Sequence, residues 1–330
     1  MIQDKFEILK IFKGGSLSST KLIHHPKFNR CIIKKVSNNT NREYGFVRFC
    51  SQIKRHTQLQ SIETNLFPKI FEVGIDIESK QAYCIYEYMD EYISIFDFLK
   101  DHKISNTLLI KAASNLINAL KKLHKHEYKT SLINGSLQFY FKEEMVRPLI
   151  EYSNYLDIEN KTFENNKVNS CSDSISKIYK LLNKLDKKEN QKYCMIHGNA
   201  TLENILINPK SLDISFIDVY DETYCDIALS DYSQILQCSK YFYGLRMRQS
   251  KNEENECEYK LINAGENFKL FNKEIEKRLI FNDHRAILLK LLTASQFIRL
   301  LPFRIKSNDI NNANYFYSLA SWILNESINE

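Results

Sequence analysis

A chain of 330 residues is long enough for two lobes with separate cores, since a single core stops growing at about 250–300 residues. Hydrophobic residues make up 43% and charged residues 26%, which excludes a disordered or fibrous chain, and the net charge of +6 is interleaved along the chain rather than gathered into the stripe of a nucleic-acid binder. Eight cysteines include no C-x-x-C pair, no stretch approaches about 18 apolar residues, and MIQDKFEILK lacks the basic-then-apolar order of a signal peptide; the expectation is a protein of a reducing cytoplasm without a zinc ribbon or membrane span.

KFEILKIF (5–12) alternates and predicts a strand, after which Gly14-Gly15-Ser16 interrupts. TKLIHH (20–25) and RCIIKKVS (30–37) predict two more strands around a Pro-containing turn. A helix is predicted over 41–60, with Tyr44, Val47 and Ile53 on its packing side. KIFEVGIDI (69–77) and QAYCIYEYM (81–89) then read as a strand pair joined by the polar ESK. The first ninety residues assemble most simply as one sheet crossed by one helix.

Beyond Ser94 the pattern turns helical. Residues 108–126 place apolar side chains at 109, 112, 113, 116, 117, 120 and 123, a 3.6-residue stripe. The Asn- and Ser-rich stretch 154–174 has no sustained period and predicts a loop or insertion, followed by a helix over 174–185. Two short strands, ENILI and DISFID, flank the turn NPKS within 193–222, and helices resume from Asp226.

That last hairpin carries the candidate chemistry. Asn204 precedes the first strand and Asp218 ends the second, so the hairpin brings two oxygen ligands together, as a hard cation such as Mg²⁺ requires. Asn199 lies on the loop before Asn204, where it could face a transferred phosphoryl group. Singly, His197 reads as a packed structural histidine, Asn204 as a turn cap and Asp218 as a strand end. Their order and spacing together favour a metal site. No HExxH, G-x-S-x-G or GxxxxGK[ST] is present, so a zincin, serine hydrolase or P-loop enzyme is not supported.

The segment HGNATLENILI…SFIDVYD resembles the catalytic core of the aminoglycoside/choline phosphotransferase family, at His197, Gly198, Asn204 and Asp218. DIALSDYSQIL (226–236) is similar to that family's Asp-x-Ala helix, and FIRLLPFR (297–304) looks like a late-helix motif of capsule- or lipopolysaccharide-locus members. The resemblance implies an α+β, two-lobed protein-kinase-like fold. Residues 1–90 would form a β-rich N-lobe; residues 91–330 would form a helical C-lobe holding the 197–218 loop and the acceptor site. It also implies ATP and Mg²⁺ as cofactors, with Gly14, Gly15 and Ser16 covering the phosphates and Lys34 reaching them, although Lys35 is an adjacent competitor. Glu43, the acid of the following helix, is the candidate partner of the lysine, and the backbone at Glu87 and Met89 would meet adenine. The implied activity is phosphorylation of a hydroxyl on a small molecule, a sugar or amino alcohol of a bacterial surface polysaccharide.

One departure stands out. The family has Asp where this chain has Asn199, and an amide accepts a hydrogen bond but takes up no proton. Three readings follow: a slow kinase, a nucleotide-binding pseudokinase, or an engineered inactive variant. On any of them except a pseudokinase that has also lost its acceptor pocket, Asn199→Asp is expected to create or raise phosphoryl transfer.

Overall fold

The structure, a computed structural model, describes residues 6–12, 18–36, 43–101, 103–130, 134–185, 192–221, 225–247 and 258–326. Its contacts divide the chain into two compact units: Met1–Ile95 with His197–Asn199 and Asn204–Thr223, and Phe96–Ile196 with Ala200–Glu203 and Tyr224–Glu330. The expected boundary at residue 90 moves to Ile95, and the hairpin expected among the helices groups with the first unit. The reason is that Ile93–Ser94 pairs with Ile205–Ile207.

The first unit is built on a five-stranded antiparallel sheet. Its strands are β1 (Glu7–Phe12), β2 (Ser19–His25), β3 (Asn29–Val36), β4 (Ile70–Asp76) and β5 (Gln81–Glu87), in the order β1-β2-β3-β5-β4. Alternation gives the sheet two apolar faces. On one, Ile23, Cys31, Ile33 and Ile85 form a cluster with Phe28 and Phe71 against it. On the other, Val36, Ala82 and Cys84 pack under Phe49 and Ile53 of α1 (Glu43–Ile62). The predicted packing side of this helix needs correction: Phe46, Phe49, Cys50 and Ile53 make the contact, whereas Val47 is 55% exposed. Spacings of three and four residues run through 46, 49, 50 and 53, so the larger side chains set the phase.

A second sheet completes this unit. β6 (Ile93–Ser94) pairs with β11 (Ile205–Ile207), which pairs with β12 (Ile214–Phe216). Phe216 packs its ring 5.7 Å from that of Phe67, just before β4, so the distant hairpin joins the sheet unit.

The second unit is mainly helical. Its elements begin with α2 (Ile95–Lys100), α3 (Asn106–His124), β7 (Glu127–Thr130), α4 (Asn134–Phe141) and α5 (Arg147–Tyr152). β8 (Thr162–Phe163), β9 (Asn166–Lys167), α6 (Cys171–Lys184) and β10 (Lys192–Cys194) follow. After the hairpin come α7 (Ala228–Ser239), α8 (Tyr243–Arg246), β13 (Glu258–Tyr259), α9 (Glu266–Glu276), α10 (Asp283–Ile298), α11 (Leu301–Lys306) and α12 (Ile310–Glu326). All seven predicted apolar positions of α3 are buried, and Ser105 caps the helix by accepting from Leu108 N–H.

Two expectations change in this unit. The stretch 154–174 contains a β8–β9 hairpin, whose two turn residues Glu164 and Asn165 both have positive φ (46° and 61°), the geometry that fits a two-residue turn to strand twist. The stretch 283–306 is long and apolar enough to pass for a membrane span, contrary to expectation. Its apolar residues Leu288, Leu291, Leu292, Phe297, Ile298 and Leu301 are buried in this unit's own core, where α10 packs between α7 and α12.

Candidate active site

The site residues that can be described lie within the first unit, and β3 supplies the cation. Strand alternation sends Lys34 to the α1 face, level with Cys84 and Thr20 on the neighbouring strands; Lys35 turns to the opposite face, level with Tyr83. The Lys34 side chain is 18% exposed and lines a cavity of about 40 Å³ together with Gln52 and His56 of α1, Tyr86, Ile217 and Asp218. Its ammonium donates to Asp218 Oδ1 and forms an ion pair with it.

The 205–216 hairpin supplies the oxygen donors. Asn208 Oδ1 accepts from the N–H groups of Lys210 (2.9 Å) and Ser211 (3.2 Å), which closes the predicted turn. At its open end Ile217 N–H donates to the Asn204 carbonyl at 3.0 Å, so Asn204 and Asp218 lie at one end of the strand pair. Asn204 Nδ2 donates to the Asn199 carbonyl (3.0 Å), which leaves Oδ1 as the end of that amide able to face a cation. Asp218 takes a left-handed conformation (φ 57°), one that Asp tolerates better than most residues and that turns its side chain out of the strand's alternation. The Asn204 amide oxygen and the Asp218 carboxylate are hard oxygen donors, the kind that suits a cation such as Mg²⁺.

The loop before Asn204 is stitched to the segment after β12. His197, fully buried, donates from Nε2 to the Ile217 carbonyl (2.9 Å) and accepts at Nδ1 from Asn199 N–H (3.1 Å). Those two bonds define a neutral imidazole in a fixed tautomer, a structural histidine. Tyr220 N–H donates to the His197 carbonyl at 3.1 Å, and Asn199 Nδ2 donates to the Asp218 carbonyl at 3.0 Å. Between them Gly198 adopts φ 76°, a conformation that favours glycine and lets the loop reverse there.

Charge, burial and hydrogen bonding together set each titrating group. Burial pushes the Asp218 carboxyl up, and neighbouring positive charge, chiefly the Lys34 ammonium by charge and hydrogen bond, more than reverses it, so the group ionises below its ordinary range. Burial lowers the pKa of His56, the Lys34 charge lowers it further, and its hydrogen bond to the Pro68 carbonyl (2.9 Å) only partly opposes them. Burial pushes the Cys84 thiol up to about 12, so it is an inert wall of the cavity.

Several functional neighbours were not anticipated from the sequence. Arg48 of α1 pairs with Asp221 (3.5 Å) and lays its guanidinium 4.4 Å from the Tyr220 ring centre, so it grips the segment that follows Asp218. Gln52 and His56 continue the stripe at four-residue spacing, and that period was the available signal. Gly14, Gly15, Ser16 and the Glu43 side chain lie outside the described residues. Glu87 ends β5 with its N–H on the Lys69 carbonyl (2.8 Å), and its carboxylate accepts from Lys69 N–H (3.2 Å). The Met89 carbonyl accepts from Tyr92 N–H in the turn that follows (3.0 Å).

No known family profile matches the chain, and no curated protein matches it. Solved structures do. The GDP complex of an aminoglycoside 2'-phosphotransferase-IIIa F108L mutant aligns over 99% of this chain and 94% of its own length, with a TM-score of 0.59 at 12% identity. The GDP and kanamycin complex of APH(2")-IIia covers 98% and 95%, with a TM-score of 0.55 at 11% identity. An aminoglycoside-3'-phosphotransferase of type VIII covers 89% and 94%, with a TM-score of 0.50 at 14% identity. The fold is therefore the α+β protein-kinase-like fold, with an antiparallel sheet in the N-terminal part and a mainly helical C-terminal part. Within that class the chain is similar in structure to the aminoglycoside phosphotransferases.

Proposed function

We propose that the chain transfers the γ-phosphoryl group of a nucleoside triphosphate to a hydroxyl of a small molecule, with Mg²⁺ and in the cytoplasm. The observation that carries this reading is the convergence of a strand lysine, Lys34, with the hairpin pair Asn204 and Asp218 in one compact unit. Those residue types suit a phosphoryl group: Lys34 is the cation for phosphate oxygens, and Asn204 Oδ1 and the Asp218 carboxylate would hold the metal. Bound there, Mg²⁺ supplies charge compensation to the phosphates. ATP is the nucleotide proposed from the sequence; two of the similar structures are GDP complexes, which supports assaying GTP beside it.

In the transfer itself the acceptor oxygen forms the new P–O bond as the bond from γ-phosphorus to the β–γ bridging oxygen breaks. The nucleoside diphosphate leaves, and the hydroxyl proton passes to a phosphoryl oxygen or water. Asn199 supplies no base, and a dissociative transfer depends mainly on positioning and charge. The acceptor class is a polyhydroxylated or amino-bearing metabolite, with a surface-polysaccharide sugar or amino alcohol first; kanamycin in one similar structure supports that class. A second reading, a nucleotide-binding protein without turnover, is favoured by Asn199 alone. Titration calorimetry with ATP and GTP, with and without Mg²⁺, tests the binding half: nucleotide bound equally well with Mg²⁺ withheld contradicts the metal assignment.

A further inference from the structure

Asn199 occupies a position where an acid would serve as base, and its side chain is already in use. Its Nδ2 stands 3.0 Å from the Asp218 carbonyl. A carbonyl oxygen only accepts, and an Asn side chain has only one end that donates, so this contact defines which end is the nitrogen. The other loop contacts close around it: Asn199 N–H is on His197 Nδ1, the Asn199 carbonyl takes Asn204 Nδ2, and Ile217 N–H is on the Asn204 carbonyl. Asn199 thus touches both metal-ligand residues, one through its side chain and the other through its backbone. The carbonyl it holds belongs to the residue in the left-handed turn, whose φ of 57° aims the Asp218 carboxylate.

We propose that Asn199 is a positioning residue for Asp218: its amide nitrogen ties the Asp218 carbonyl and so holds the turn that presents the carboxylate to the metal. The tie uses an N–H of the amide, which a carboxylate lacks. An ionised aspartate only accepts, so at position 199 it would set a charged oxygen against the Asp218 carbonyl at about 3.0 Å. It would also add a second negative charge beside Asp218. Asn199→Asp therefore gains a base and loses this tie. With the nitrogen so engaged, Oδ1 is the end left to accept from an attacking hydroxyl, which it can orient but not deprotonate. This last point rests on the phosphotransferase reading; the tie does not.

The test uses the full chain, with Asn199→Asp beside Asn199→Ala. Side-chain ¹⁵N spectra of the parent are expected to show the Asn199 NH₂ with a scalar coupling to the Asp218 carbonyl carbon. In each variant the readout is nucleotide affinity with Mg²⁺ against nucleotide affinity without it. The gain in affinity on adding Mg²⁺ should fall about tenfold in Asn199→Ala, the factor for one lost hydrogen bond of about 1.4 kcal/mol. Asn199→Asp removes the same N–H donor but adds a carboxylate that itself attracts the cation, so the lost gain is read in Asn199→Ala. A merely structural role would lower the melting temperature without separating the metal-dependent from the metal-free affinity. The proposal is overturned if the coupling is absent, or if Asn199→Ala keeps the full Mg²⁺ gain; that second result would leave the phosphotransferase reading standing. A coupled NH₂ and a lost Mg²⁺ gain, in a parent that transfers nothing to any acceptor, would keep the tie and remove the enzyme.

Discussion

Removing the Lys34 ammonium should move two affinities in opposite directions. The Asp218 carboxylate is neutralised by Lys34. Two unit charges about 4 Å apart attract by about 4 kcal/mol at an effective dielectric constant near 20. The Asp218 side chain is 40% exposed, so water screens much of this, and about 1 kcal/mol is the appropriate scale for such a pair. Lys34→Ala frees the carboxylate for a cation, so Mn²⁺ alone, read by paramagnetic resonance at pH 8, should bind about fivefold tighter, the factor for about 1 kcal/mol. Nucleotide should bind at least about tenfold more weakly, because a charge-assisted hydrogen bond to phosphate is worth about 1.5–3 kcal/mol. Lys35→Ala, on the opposite face of β3, should do neither. Metal binding that is unchanged or weaker in Lys34→Ala would refute the reasoning, as would equal effects at the two lysines.

Asp218→Asn should abolish the Mg²⁺-dependent part of nucleotide binding in calorimetry while leaving the melting temperature within a few degrees; asparagine keeps the shape and tolerates the left-handed turn, which alanine would strain by about 1 kcal/mol. Arg48→Gln and Asp221→Asn should each weaken Mg·nucleotide binding by less than about 1 kcal/mol, as expected for a half-screened pair, and a double-mutant cycle should return a coupling between them. His56 has a folded pKa below its ordinary value of 6.5, so the unfolded chain takes up protons first. Its contribution to stability is complete above about pH 6.5 and is lost as pH falls below that, and denaturant midpoints of His56→Gln should be flatter from pH 7 to pH 5 than those of the parent.

Much of the candidate site was readable in the chain because its parts are local. The turn NPKS defines a hairpin, and a hairpin necessarily brings the residues flanking it, Asn204 and Asp218, to one end. Alternation in CIIKKV meant that Lys34 and Lys35 face opposite ways, although choosing between them required the register with β5. What could not be read depends on long-range partners. The pairing of β6 with β11 joins residues more than a hundred positions apart, and no local pattern in Ile93–Ser94 announces it. β8 and β9 are two residues each, too short to show a period, and their turn is Glu164-Asn165 rather than a glycine turn. The hydrophobic phase of α1 was misjudged through Val47, because the sheet accepts Phe46 and Phe49 instead. The amide of Asn199 reads in the sequence as a departure from an acid; its contact with the Asp218 carbonyl is long-range and is visible only in the fold.

The phosphotransferase reading is tested most directly by ³¹P spectroscopy of the full chain with Mg²⁺ and ATP or GTP, in the presence of sugars, amino alcohols and aminoglycosides. The account predicts a new phosphomonoester resonance that appears only with acceptor, grows in equal amount with nucleoside diphosphate, and is absent from Asp218→Asn. Tight Mg²⁺-dependent nucleotide binding with no phosphomonoester from any acceptor, or nucleotide loss solely to inorganic phosphate, would contradict it.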